Sequence, residues 1–277
     1  MIIWLASYPK SGNTWMRALL SCYLFEEHHK EDMDVFSKMR LIQSFPVKRA
    51  FSGIIDEEIL KKNKFEAFKY FIKAQEKINR DPKLHIIKTH NFCGAVGGDF
   101  FTNKENTIGS IYIVRDPRSV AVSYAHYANI NYEKSVKLML DENRVAVHDQ
   151  YYPEARLSWK TNLLSWLKSP SPKLLIRYED LLKDTAGILK ISIKFINQFI
   201  KSKIEIKEDK ILKVIEECNF DNLKNLENTK GFKEKENNKN NFFRKGEINE
   251  WSKALPVGLI EELERNFSKE MKELDYI

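Results

Sequence analysis

Hydrophobic residues along this chain fall either in short unbroken runs or in longer stretches with helical spacing. Residues 2–6, IIWLA, show no polar alternation, the pattern of a strand buried on both faces of a parallel sheet. Residues 84–87, 108–114 and 173–177 repeat that pattern and predict three more strands. From Thr14 the spacing turns helical, with Trp15, Leu19, Leu20, Tyr23 and Leu24 on one stripe and Asn13 or Thr14 as the expected cap. Residues 57–80 read as one or two amphipathic helices carrying Phe65, Phe68, Tyr70, Phe71 and Ile72. A helix is expected over 117–128, with Asp116 as cap and Pro117 at its first position. Further helices are expected over 132–143, 153–167, 185–200, 207–217 and 259–274. Strands alternating with helices predict one α/β domain over 1–277, a central parallel sheet flanked by helices. Residues 26–51 are poorly periodic, and 94–106 are polar and glycine-rich. Residues 229–241, TKGFKEKENNKNN, lose almost all hydrophobic character and are expected to be mobile without a ligand.

The candidate chemistry gathers where predicted strands end. Residues 7–13, SYPKSGN, are loop chemistry between the first strand and the first helix. The unpaired N–H groups opening that helix favour a phosphate or sulfate, and Lys10 adds a full charge. A Walker A loop places its lysine directly after the last glycine. Here Lys10 precedes Gly12 by two residues and Asn13 stands in the lysine's place, which argues against ATP with magnesium. The second strand delivers Lys88, Thr89 and His90 to its C-terminal end, where ligands bind in open α/β sheets. A histidine there can serve as a general base. Arg115 at the third strand's tip and Ser123 two turns into the next helix can face one ligand. Phe242-Phe243-Arg244-Lys245-Gly246 restores order after the polar stretch, and its two cations and glycine can wrap an anion.

Composition narrows the reading without choosing it. The chain has 277 residues, 43% of them hydrophobic, with formal net charge +7. That charge suits nucleic acid, an anionic surface or a polyanionic small ligand, but the basic residues are dispersed. Cys22, Cys93 and Cys218 are too scattered for a disulfide framework or a metal site, and reduced thiols in a cytosol fit better. The start of the chain carries no basic leader and no span-length apolar run, so neither a membrane anchor nor membrane association is expected. Adjacent His28 and His29 point apart and read as surface residues.

Four segments together resemble a known family. YPKSGNTW (8–15) is similar to the 5′-phosphosulfate loop of sulfotransferases that use 3′-phosphoadenosine 5′-phosphosulfate (PAPS), and KTH (88–90) to that family's histidine segment. VRDPRSVAVSY (114–124) is similar to its 3′-phosphate signature and FRKGEINEW (243–251) to its closing loop, while YED (178–180) matches as well. The resemblance implies a P-loop nucleotide-kinase-like fold and a cytoplasmic enzyme of the soluble kind, needing no metal and leaving 3′,5′-bisphosphoadenosine (PAP) as product. It implies His90 as base, Lys88 on the transferring sulfuryl group, Lys10 on the leaving phosphate, and in-line transfer. It further implies Ser11, Gly12, Asn13 and Thr14 around the 5′-phosphate, and Arg115, Ser123, Arg244, Lys245 and Gly246 at the 3′-phosphate. Trp15, Tyr178 and Phe220 would flank the adenine.

Asn249 and Glu250 depart from the family's Gly-Asp, which puts the closing loop's backbone geometry in question more than its charge. Residues 253–262 match the dimer motif only weakly, Val257-Gly258 replacing Thr-Val, so a homodimer stays open. A magnesium-dependent nucleotide kinase or NTPase is the alternative and a basic nucleic-acid-binding protein the third reading; the first expects no nucleic-acid partner. The acceptor, a small molecule or glycan presenting a hydroxyl or amine, is not spelled out by 26–51 or 131–152.

Overall fold

The strand runs and the helical stripes meet in one parallel sheet. The computed structural model describes residues 1–25, 33–147, 152–232, 234, 240–244 and 246–277. Among these, β1 (Ile2–Ser7), β2 (Gln43–Ser44), β3 (His85–Thr89), β4 (Thr107–Val114) and β5 (Lys173–Arg177) form a five-stranded sheet in the order β2-β3-β1-β4-β5. Every neighbouring pair is parallel. β1 lies centrally, Ile3 opposite Ile86 on one side and Gly109 on the other. The chain therefore leaves β1 at a topological switch point, with the crevice outside the strands' C-terminal ends.

Alternation along β1 divides the core between the two faces of the sheet. Ile2, Trp4 and Ala6 pack on one face with Ile87, Tyr112 and Trp166, while Ile3 and Leu5 pack on the other with Ile86, Ile111 and Ile176. Each such aliphatic side chain, fully buried, contributes about 1.5–3 kcal/mol. Trp4 keeps its indole N–H satisfied inside, donating to Thr107 Oγ1 at 2.8 Å, as a buried tryptophan requires.

Around the sheet run α1 (Asn13–Leu24), α2 (Phe71–Asn79), α3 (Pro117–Ala128), α4 (Tyr132–Leu140) and α5 (Trp159–Lys168). They are followed by α6 (Tyr178–Lys183), α7 (Thr185–Asn197), α8 (Glu208–Glu217), α9 (Phe220–Lys230) and α10 (Val257–Glu273). Asp116 caps α3 as expected, accepting from Arg118 N at 2.9 Å. Among the described residues, no helix is long and apolar enough to cross a membrane.

Several expectations are corrected. Gly12, at φ 99°, caps α1 in place of Asn13 or Thr14, because the chain reverses there in a left-handed conformation that costs a side chain about 1–2 kcal/mol. The Asn13 amide is committed instead to the end of β1, donating to Leu5 O at 3.0 Å and Ser7 Oγ at 3.2 Å. Residues 153–158 are not helical: Glu154–Ala155 pairs with Val145–Ala146 as a small antiparallel ladder, and α5 starts only at Trp159, capped by Ser158. Residues 57–80 divide into a helix at Glu57–Lys62, a 3-10 segment at Lys64–Tyr70, and α2. β2 and α9 were not foreseen, the first being two residues long and the second largely polar. Within the polar stretch 229–241, residues 233 and 235–239 lie outside the described residues, as do His28 and His29.

Candidate active site

A cavity of about 530 Å³ opens at the C-terminal ends of β1, β3 and β4. The loop after β1 supplies its floor through Lys10, Gly12, Asn13, Thr14 and Trp15. Lys10 itself has φ 68°, a left-handed backbone uncommon outside glycine, and its carbonyl accepts from Arg115 Nη1 at 3.2 Å. The Gly12 backbone runs so close to Tyr178 that a Cβ built there would stand 2.5 Å from the ring. Strain and close approach together force the loop around the first N–H groups of α1, which have no intrahelical partner.

The Lys10 ammonium sits over two aromatic faces, 4.4 Å from the Tyr127 centroid and 3.6 Å from that of Phe242. The residue keeps some solvent contact, yet burial, with Arg115 and Lys88 nearby, pulls its pKa down to about 7. Such a lysine is poised to gain full charge when an anion arrives.

Lys88 and His90 flank the far side of the cavity. The His90 ring is fixed by Ser7, whose carbonyl lies 2.9 Å from Nδ1. A carbonyl can only accept, so Nδ1 carries the proton and Nε2 keeps its lone pair. Burial, with Lys88 beside it, pushes the His90 pKa down to about 3, so the ring is neutral. The Asn162 amide donates to the His90 carbonyl at 3.0 Å and holds the backbone in place. Burial also pulls Lys88 below the ordinary lysine range, against the raising effect of Glu234.

The other half of the cavity joins the chain's middle to its tail. Arg115, Ser123, Arg244 and Gly246 all line it. Arg115 Nη2 donates to Glu247 O at 3.0 Å, and its guanidinium lies 4.3 Å from the Tyr178 centroid. Trp15 and Tyr178 meet edge to face at 6.2 Å, and Phe220 lies against Gly246 across the cavity lining. The tail segment is anchored to α9 by the buried Glu227, whose carboxylate accepts from the backbone N–H groups of Phe242 and Phe243 at 2.6 and 2.8 Å.

Of the residues singled out in the sequence, Ser11 does not line the cavity; its side chain is wholly buried behind the loop. Lys245 lies outside the described residues. Asn249 takes φ 65°, the conformation a glycine would supply and asparagine tolerates, so the backbone requirement is met. Glu250 keeps the carboxylate charge of the aspartate it replaces and engages Arg244 in a two-pronged ion pair, Nη1 to Oε1 at 2.7 Å and Nη2 to Oε2. Sequence reasoning also missed Ser119, one turn before Ser123 in the cavity wall, and Glu234, which reaches Lys88 from the far end of the chain.

An anion fits this arrangement. Ser119 Oγ and Arg115 Nε, on residues that line the cavity, are buried donors without a partner among the described residues, and buried groups of this kind are normally satisfied. No cluster of three or more His, Cys, Asp or Glu residues that could hold a metal occurs among the described residues.

A strand-loop-helix anion cradle, an aromatic slot and a neutral histidine at the sheet's crevice define a group-transfer site for a phosphorylated nucleotide. A sulfotransferase-domain model matches residues 2–275, and the chain belongs to that family, the sulfotransferases that draw on PAPS. Cytosolic sulfotransferase 14 of Arabidopsis thaliana is 29% identical over 272 residues, spanning 94% of this chain and 72% of that protein. The amine sulfotransferase of Oryctolagus cuniculus is 23% identical over 286 residues, spanning 98% and 81%. Among solved structures, mouse sulfotransferase SULT7A1 complexed with PAP superposes with TM-score 0.61 at 21% identity, covering 99% of this chain and 84% of that one.

Proposed function

We propose that this enzyme moves a sulfuryl group from PAPS to a hydroxyl or amine of a small acceptor, with His90 as general base. PAPS, when bound, supplies an activated sulfuryl group and a stable bisphosphate leaving group. The observation carrying the reading is the convergence of Lys10, Lys88 and His90 with Arg115, Ser123 and Arg244 on one cavity, although they span most of the chain.

Each residue's task follows from its chemistry. Gly12, Asn13 and Thr14 offer backbone donors at the N-terminus of α1 to the 5′-phosphate. Lys10 meets negative charge growing on the leaving oxygen, the task a magnesium ion performs in kinases. Arg115, Ser123 and Arg244, with Lys245 and Gly246 beside them in sequence, hold the 3′-phosphate, and Trp15, Tyr178 and Phe220 flank the adenine. His90 presents its Nε2 lone pair to the acceptor proton, with Ser7 O keeping the tautomer. Lys88 faces the transferring group. Little covalent work falls to the protein, whose contribution is positioning and electrostatic stabilisation.

A cytoplasmic location is supported by the cytosolic designation of the Arabidopsis relatives. A small-molecule acceptor is consistent with an amine sulfotransferase and a flavonol sulfotransferase among the relatives. The test is a screen of phenols, alcohols, amines and sugars with labelled PAPS. Transfer to at least one acceptor, lost in His90→Ala while that variant still binds PAP, is the expected result. Transfer by His90→Ala at the parent rate would overturn the assignment of the base.

A further inference from the structure

Glu234 lines the cavity, as do Glu154, Glu247 and Glu250. It bridges two buried cations from distant elements, Arg17 of α1 at 2.6 Å and Lys88 of β3 at 2.8 Å. Its backbone carbonyl accepts from Tyr127 Oη at 3.2 Å, and the same tyrosine ring faces the Lys10 ammonium. Burial pushes the Glu234 carboxyl up, but Lys88 and Arg17 outweigh it and keep the group ionised.

Arg17 is the unexplained member of this cluster. It is 6% exposed, its Nε is buried without a partner among the described residues, and its Nη1 makes only a long contact with Ser44 Oγ at 3.4 Å. Two cations are costly to bring together away from water unless an anion lies between them. Lys88 is two residues from His90 in sequence, so the anion position they define adjoins the proposed base. A carboxylate and a sulfuryl group are alike to such a pair: each presents two or more anionic oxygens to charged N–H donors.

We infer that Arg17 and Lys88 together seat the transferring sulfuryl group, and that the Glu234 carboxylate holds this seat until the donor displaces it. The inference rests on the sulfotransferase reading above and adds Arg17 to its binding residues. It also makes affinity for the donor a competition. The sulfuryl group must displace an internal carboxylate, whereas PAP, which lacks that group, leaves the ion pairs in place.

PAP and PAPS therefore respond differently to changes at Glu234, and calorimetric titration of both, without acceptor, reads the difference. Glu234→Gln is expected to tighten PAPS by about tenfold, the scale of a charge-assisted contact, and PAP by less than about threefold. In the absence of ligand the variant should melt lower than the parent, its two cations having lost their counter-ion, and PAPS should raise its melting temperature more than the parent's. Arg17→Gln retains the Glu234–Lys88 pair and provides the check should Glu234→Gln fold poorly; it is expected to weaken PAPS about tenfold and leave PAP unchanged. Equal shifts for PAP and PAPS in both variants, or no shift in either, would overturn the inference while leaving the sulfotransferase reading intact. Failure of the parent protein to bind PAP at all would instead strike that reading.

Discussion

The two kinds of anion contact in this cavity are prepared in opposite ways. At the loop after β1, Gly12, Asn13 and Thr14 present a fixed backbone at the N-terminus of α1. At the flexible cations the charges are already answered: Glu234 lies on Lys88 and Arg17, and Glu250 lies on Arg244. A left-handed turn and a helix N-terminus cannot collapse onto an internal partner, so that end can wait for its ligand. Arg17 and Lys88, buried together, are costly to leave unpaired because an isolated buried charge is expensive, and the chain lends them the Glu234 carboxylate. Preorganisation by backbone thus stands against neutralisation by exchange.

Substitutions at the proposed base and at the prepared loop should be the most damaging. His90→Ala should lower kcat by about 10²- to 10⁴-fold with PAP affinity retained, as measured by turnover and calorimetry together. Gly12→Ala combines a strained φ of 99° with a Cβ 2.5 Å from Tyr178; it should lower PAP affinity at least about tenfold, the cost of a side chain in that backbone alone being about 1–2 kcal/mol. Affinity unchanged in that variant would mean that the loop does not need its geometry.

Changes at the exchanging end should be smaller and can run the other way. Glu250→Gln frees Arg244 from its ion pair and is expected to tighten PAP by about three- to tenfold, within the range of a charged hydrogen bond. Weaker binding would mean that Glu250 organises the closing loop and does not compete for the arginine.

No substitution is needed to see the last effect, a pH dependence. In the proposed function the charged form of Lys10 meets the anion, and burial with Arg115 and Lys88 nearby brings its pKa down to about 7. PAP affinity should therefore be full below pH 7 and fall by up to tenfold per unit above it, with Lys10→Arg flattening the profile. His90, depressed to about 3, should add no acid limb to kcat/KM between pH 5 and 7. A limb centred near the ordinary histidine pKa would contradict the enclosed ring.

The strand β1, the loop after it, α3 with its Asp116 cap, and the sulfotransferase resemblance were legible because each rests on local pattern: an unbroken apolar run, a proline and glycine, a helix start. What escaped depended on contacts far apart in the chain. Arg17 reads as an ordinary polar position of an amphipathic helix until Glu234, more than two hundred residues on, is folded against it. Glu227 stands in a largely polar stretch with no predicted element, yet it is 4% exposed and anchors Phe242 and Phe243. The cap of α1 was misjudged for a related reason. Asn13 is a good cap by type, but its amide is drawn away by the end of β1, and no spacing rule carries that information.

The central claim is that the tip of β4 and the tail after α9 close on one phosphate that ATP lacks. Calorimetric comparison of PAP with adenosine 5′-monophosphate, in the parent and in Arg115→Ala, tests it most directly. The expected result is a preference for PAP of about a hundredfold, some 2.7 kcal/mol, that largely disappears in the variant. Equal affinity of the parent for both nucleotides, or a preference undiminished by Arg115→Ala, would contradict it.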